Sequence, residues 1–278
     1  MLVNGKEILL NYKSNKKAIF HFNINNLEWT KYILLECNKL NVPVILGVSE
    51  SAIAYMGGYN TVVSLVNGLI KDLDIKNSVV LHLDHGKSLE SCKKAIDAGF
   101  TSVMIDGSLK EFDENVRITK EVVEYAHLNE VTVEAELGAM GELKDNKVSF
   151  GQLTNVSDCL EFVDKTGIDS LAASVGTVHG KYTGELNIDY DLIKDIASVL
   201  EIPLVLHGGS GLSNDILKKC VLSGITKINI NSDLQDVWSK EVRNYLENNK
   251  DVIDPRKIIL SGMDSLTREI DNKININN

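Results

Sequence analysis

Proline is nearly missing from this sequence: three residues in 278. With no Ser- or Gly-rich stretch either, no linker divides the chain, and the sequence predicts one domain over residues 1–278. Cysteine is sparse. Cys37, Cys92, Cys159 and Cys220 stand far apart without a C-x-x-C pair, which predicts reduced, packed thiols and fits a cytoplasmic protein. Long apolar runs are lacking as well. Nothing approaches the roughly 18 consecutive apolar residues of a membrane span, and the N-terminus has no signal-peptide stretch. Positive charge is in deficit. A net charge of −10 without a basic stripe excludes nucleic acid or an anionic membrane as the main partner, though local lysines could still hold a small anion. Aromatic residues are few, and Trp29 and Trp238 fall in helical patterns that assign them to packing.

What is abundant is aliphatic sequence arranged with a rhythm. Eight short β-branched runs read as strands: 18–22, 43–48, 78–83, 102–105, 131–137, 170–175, 203–208 and 227–230. Their continuous apolar character is that of parallel strands buried on both faces. Amphipathic patterns lie between them. Residues 25–40 place Leu27, Ile33, Leu34, Cys37 and Leu40 on one face. Residues 88–99 open on Ser88 and Ser91 as caps and close on Gly99. Residues 113–129 turn Val116, Val122, Val123 and Ala126 inward, and 213–224 start on a cap and stop on Gly224. Eight such β–α units predict an α/β fold, a (β/α)8 TIM barrel. The longest stretch read as irregular, 138–155, follows the fifth strand.

In such barrels the side chains just past the C-terminal strand ends line the working face. Here those positions hold Asn23, Ser49, Asp84 with His85, Asp106, Glu136, His179, His207, and Asn229 with Asn231. His85, His179 and His207 are each followed by glycine, which lets the backbone turn and approach a ligand. Three imidazoles with an open position form a catalytic zinc arrangement. His82, two residues before Asp84, points to the same side of its strand and reads as a packing or supporting group. Gly86 is read as the turn that lets the adjacent Asp84 and His85 serve one site. "LHGGSG" (206–211) and "KININSD" (227–233) each precede a helix, at the strands where barrels commonly hold phosphate.

These stretches, together with "FNINNLEWT", "PVILGVSESAIAYMGGY", "LHLDHG", "AGFTSVMIDGS", "VEAELG", "TGIDSLAASVGTVHG" and "DPRK", resemble the class II, metal-dependent fructose-bisphosphate aldolase family in its shorter branch, which includes tagatose-bisphosphate aldolases. The resemblance runs in family order over nearly the whole chain. It implies a lyase of carbohydrate metabolism, active in glycolysis, that cleaves fructose 1,6-bisphosphate through a zinc-stabilised enediolate. It implies zinc on His85, His179 and His207, with Asp106 and Glu136 at an alternate or second metal position. Asp84 would be the acid/base group. Gly180, Gly208, Gly209, Ser210, Asn229, Ile230, Asn231 and Ser232 would hold the dihydroxyacetone phosphate half. Asn23, Ser49 and Lys181 would be further substrate contacts. A monovalent cation, Na+ or K+, would sit near Val178, Gly180, Gly208 and Ser210, and the assembly would be a homodimer or homotetramer.

The chain departs from the family pattern in three places. Lys144 stands where the family has a proton-transferring glutamate, and Glu142 is the substitute candidate. Lys181 follows Gly180 directly, a spacing similar to that of an aldolase acting on 6-phospho-5-dehydro-2-deoxy-gluconate. "SGMDS" lacks the arginine that some members direct at the distal phosphate. Rival readings are a non-catalytic sugar-phosphate binding barrel and a Schiff-base aldolase using Lys227. The latter has no use for three metal histidines, and Lys227 reads as a packing or salt-bridged residue.

Overall fold

The computed structural model describes residues 2–138, 141–144, 147–149, 153–179 and 187–277. The first five strands are β1 (Ile19–Asn23), β2 (Val44–Ser49), β3 (Val79–Gly86), β4 (Ser102–Ile105) and β5 (Thr132–Leu137). The chain then leaves the ring as a hairpin, β6 (Gly141–Lys144) and β7 (Lys147–Ser149). It returns as β8 (Ser170–Ala173), adds the short β9 (Val178–His179) beside β6, and finishes with β10 (Leu204–Leu206) and β11 (Ile225–Ile230). Eight parallel strands close a barrel in the order β1-β11-β10-β8-β5-β4-β3-β2. All eight strands expected from the apolar runs are present, and the fold is the (β/α)8 barrel.

The helices are α1 (Lys6–Ser14), α2 (Leu27–Lys39), α3 (Glu50–Tyr55), α4 (Tyr59–Asp72), α5 (Leu89–Ala98), α6 (Phe112–Leu128), α7 (Val156–Thr166), α8 (Tyr190–Val199), α9 (Asn214–Ser223), α10 (Ser232–Asn248), α11 (Pro255–Leu260) and α12 (Met263–Ile274). Their starts are written in the sequence. Asn26, Ser88, Asn155 and Ser213 each accept a backbone N–H of the first turn, and Ser88 with Ser91 completes a capping box. Each such cap contributes about 1 kcal/mol. No helix among the described residues is long and apolar enough to cross a membrane.

Two apolar layers follow from strand alternation. Phe20, Phe22, Leu46, Leu81, Val103 and Val133 face outward into the main core, against Ile33, Leu34 and Cys37 of α2 and their counterparts on the other helices. Leu27, expected on that face, is instead 47% exposed, because it occupies the first turn beyond the contact. Ile19, Ile45 and Val80 point the other way and meet Leu9 of α1 in a separate small cluster, so α1 plugs the N-terminal mouth of the barrel. Above that plug the interior becomes polar, and the site begins there.

The segment after β5 departs from the expectation of an irregular loop. Its described part pairs β6 with β7 antiparallel and β6 with β9 in parallel, placing Glu142 opposite His179 along the backbone. The side chains of Glu142, Lys144 and His179, and all of Asp145, Gly180 and Lys181, lie outside the described residues.

Candidate active site

Asp84 and His85 reach one rim from adjacent positions because the backbone breaks its pleat at His85, whose φ is +51°. The parallel register with β4 shifts at the same point, between Leu83 and Gly86. A non-glycine residue in this left-handed region costs on the order of 1 kcal/mol. The sequence reading gave this turn to Gly86, but the glycine has a different task. A Cβ there would lie 2.5 Å from the Met104 carbonyl oxygen and 3.0 Å from Cys92 Sγ. Gly86 therefore makes room for β4 and α5, while His85 itself supplies the turn.

His85 Nδ1 donates to Asp106 Oδ2 at 2.8 Å, and Asp106 Oδ1 accepts from the Ser108 N–H and hydroxyl. Burial disfavours the His85 cation, but the Asp106 bond and nearby carboxylates outweigh it and raise the pKa. Asp106, for which the family resemblance implies an alternate or second metal position, here orients the His85 ring. Asp84 Oδ2 accepts from Asn23 Nδ2 at 2.7 Å. Burial pushes the Asp84 carboxyl up, yet the surrounding imidazoles of His21, His85 and His82 and the Asn23 amide hold it well below the usual carboxylate range.

Across the barrel mouth, the His207 ring lies 4.9 Å from that of His85, centroid to centroid. Its Nδ1 donates to Glu136 Oε2 at 2.9 Å and its Nε2 to Glu134 Oε1 at 3.0 Å. Burial opposes the His207 cation, but the two carboxylates prevail and push its pKa up to about 10. Glu134 is held from below by the Lys227 ammonium at 2.6 Å, and Lys227 also approaches His82 Nε2 at 3.4 Å. His82 Nδ1 completes the chain on Ser102 Oγ at 2.8 Å. Lys227 is thus the salt-bridged lysine of the sequence reading.

Among the described residues, two clusters bring three donor atoms within 4.8 Å of one another: His85, Glu136 and His207 at the rim, and His21, His82 and Asp84 beneath it. The rim set fits a divalent cation. Glu134 keeps the proton on His207 Nε2, which leaves Nδ1, beside Glu136, as the nitrogen that can lose its proton to an ion. The deeper set suits one poorly, because the Lys227 ammonium faces the His82 lone pair.

The rim opens on a cavity of about 420 Å³ lined by Asn23, Asp84, His85, Asp106, His207, Gly208, Ser210, Asn229, Asn231 and Ser232. A second lobe of about 400 Å³ shares Asn23 and Asn231 and adds Ser49, which also caps α3. Backbone geometry builds the cavity's anion side. Gly208 and Gly211 adopt positive φ, and a Cβ on Gly209 would lie 2.7 Å from Ile228 Cγ2. Asn231 N–H donates to Ser210 Oγ at 3.0 Å, and the first turn of α10 opens beside it without a side-chain cap.

The family pattern described as class-II fructose-bisphosphate aldolase matches residues 3–278. The chain belongs to that family. It is 48% identical over 274 residues to a fructose-bisphosphate aldolase of Staphylococcus epidermidis, covering 98% of this chain and 96% of that one. The same identity and coverage hold for a fructose-bisphosphate aldolase of Geobacillus stearothermophilus. Among solved structures, the YdjI aldolase from Escherichia coli K12 superposes with a TM-score of 0.86 at 28% identity, covering 99% of this chain and 97% of that one. The protein is accordingly a carbon–carbon lyase, and zinc dependence is general in its family.

Most of the residues singled out from the class II pattern gather at this rim, with two qualifications. Ile230 is fully buried in the outer apolar layer, so only its backbone can face a substrate. Gly180, Lys181 and the side chains of Glu142 and His179 lie outside the described residues. Two interior residues escaped the sequence reading. Glu134 falls two positions before Glu136, and strand alternation alone would have turned it inward. His21 lies on the inner face of β1 above Gly47, where a Cβ would come within 1.7 Å of its Nε2.

Proposed function

We propose that the chain reversibly cleaves fructose 1,6-bisphosphate into dihydroxyacetone phosphate and glyceraldehyde 3-phosphate, with zinc held by His85, His179 and His207. The observation that carries this reading is the convergence of His85, His207 and Glu136 at the mouth of a barrel whose whole length follows the family pattern. Once bound, the ion would supply a Lewis acid for the ketone oxygen and for the negative charge that develops there.

The remaining steps fall to the chain. Asp84 is held ionised, with Oδ2 on Asn23, and lies at the cavity wall. It takes the proton from the hydroxyl next to the breaking carbon–carbon bond and returns it in the reverse direction. Asp106 fixes the His85 ring, and Glu134 fixes that of His207, so the ligands need no reorganisation. Gly208, Gly209, Ser210, Asn229, Asn231, Ser232 and the Ile230 backbone offer donors to the phosphate of the ketone half, with Gly180 and Lys181 completing that side. Asn23 and Ser49 line the way to the aldehyde half. Glu142, backbone partner of His179, is assigned the proton on the ketone-side carbon. A Na+ or K+ ion between Val178, Gly180, Gly208 and Ser210, and a homodimer or homotetramer, belong to the same reading.

The test is chelator-sensitive turnover compared across fructose 1,6-bisphosphate, tagatose 1,6-bisphosphate and 6-phospho-5-dehydro-2-deoxy-gluconate. Fructose 1,6-bisphosphate should be cleaved best, with activity lost to chelator and restored by zinc. Cleavage of none of the three with zinc restored would end the aldolase reading of the site.

A further inference from the structure

We propose that Lys273, on the C-terminal helix α12, is a positioning residue that sets the width of the phosphate cradle. The inference rests on the reading of the 207–211 turn as a phosphate site.

Lys273 is only 4% exposed, a rare state for a lysine. Its ammonium forms an ion pair with Asp233 Oδ2 at 2.7 Å, lies 3.4 Å from Glu269 on its own helix, and donates to the Leu212 carbonyl at 3.3 Å. The other oxygen of Asp233 accepts the Gly211 N–H at 2.8 Å. Asp233 sits in the first turn of α10, directly after Asn231 and Ser232. The ammonium therefore joins the two halves of the cradle: the glycine turn through the Leu212 carbonyl, and the α10 start through Asp233.

A strut is needed at this point because the turn lacks stiffness of its own. Gly208 and Gly211 both have positive φ, and glycine leaves the backbone free to leave such angles. Besides the strut, the two halves are linked directly by the Gly211 N–H bond to Asp233 Oδ1 and the Asn231 N–H bond to Ser210 Oγ, and the ammonium holds the Asp233 carboxylate in place for the first of these. An oxyanion bound between them gains affinity only if its donors stay in place before it arrives. A buried charge with three oxygen partners is well suited to hold them. Lys273 touches neither the rim histidines nor Asp84, so its effect should be confined to phosphate.

The test compares the wild-type zinc enzyme with Lys273→Met, Lys273→Arg and Asp233→Asn. The readouts are inhibition by inorganic phosphate, KM and kcat for fructose 1,6-bisphosphate, and zinc affinity by chelator competition. Lys273→Met should weaken phosphate inhibition and raise KM about tenfold, as expected for losing the Asp233 ion pair and the hydrogen bond to the Leu212 carbonyl. Zinc affinity should not move and kcat should change little. Asp233→Asn keeps an acceptor for Gly211 but loses the ion pair, and should shift phosphate affinity the same way by less. Lys273→Arg should recover part of the loss. If Lys273→Met does not fold, Asp233→Asn decides. Phosphate affinity within about twofold of wild type in the folded variants would overturn the proposal, as would parallel losses in kcat and zinc affinity. A wild-type enzyme that neither binds phosphate nor cleaves the bisphosphate would instead overturn the function proposed above.

Discussion

His21 offers a direct measurement of what the polar barrel interior costs. Its ring is fully buried, and neither nitrogen has a hydrogen-bond partner among the described residues. Asp84 and His82 face it from β3, Glu134 from β5, His207 from just past the end of β10 and Lys227 from β11. Burial, reinforced by the Lys227 ammonium, pulls its pKa down to about 3. In the unfolded chain the same imidazole titrates near 6.5. As pH falls below about 6.5 the unfolded chain takes up a proton that the folded chain refuses. The folded state therefore loses stability, at about 1.4 kcal/mol per pH unit for this one group, until its folded pKa is reached. Between pH 6.5 and 5 the loss is about 2 kcal/mol.

His21→Leu removes that proton site and keeps an approximate shape over Gly47. The assay is urea unfolding of wild type and variant at pH 7 and pH 5, with chelator present throughout so that metal linkage is absent. Contributions from groups not coupled to His21 are shared and drop out of the difference, and Asp84, the carboxylate it touches, is held well below this pH range. Stability of the variant relative to wild type should rise by about 2 kcal/mol on going from pH 7 to pH 5. A difference that stays constant within about 0.5 kcal/mol would refute the reasoning, since His21 would then carry its proton equally in both states.

Lys227→Met should destabilise the protein by about 3–5 kcal/mol in urea unfolding, because Glu134 is left charged in the barrel without its ammonium. Lys227→Met combined with Glu134→Gln should recover most of that loss, and a double variant no more stable than the single one would contradict the ion-pair account. All four cysteines are buried, and burial pushes the Cys92, Cys159 and Cys220 thiols up to about 12. A disulfide thiol reagent at pH 8 should therefore react slowly with the native protein and with all four thiols once denaturant is added, whereas rapid native labelling would place a thiol at the surface.

The parts of this molecule that are local in sequence were readable there. Strand runs, the Ser88 and Ser213 caps and the glycine stops at Gly99 and Gly224 each depend on residues within a few positions of one another. That Asp84, His85, Asp106 and His207 share one rim was readable because strand ends in a barrel converge by topology, so a linear list of termini is already a spatial list. What stayed hidden depends on partners far along the chain. Glu134 meets Lys227 across 93 positions, and although alternation in "VEAEL" turns Glu134 inward, nothing there announces the lysine. The exchange of roles between His85 and Gly86 was hidden for a similar reason. The need for a glycine at 86 is set by the Met104 carbonyl and Cys92, on β4 and α5, while the positive φ falls on His85. The β6–β7 hairpin was missed because a strand of three or four residues has too short a period to stand out from a polar loop.

The tie between the two ends of the ring has a consequence for how the chain acquires its shape during synthesis. β1 pairs with β2 on one side and with β11 on the other, and the Asn277 side chain bonds both the N–H and the carbonyl of Ala18 across 259 positions. One edge of β1 therefore has no partner until synthesis has run 208 positions further, from Ile19 to Lys227. Closure is an event of very high contact order and comes late. Until then a nascent strand carrying Phe20 and Phe22 presents an open edge, and chaperone demand should be greatest in that interval.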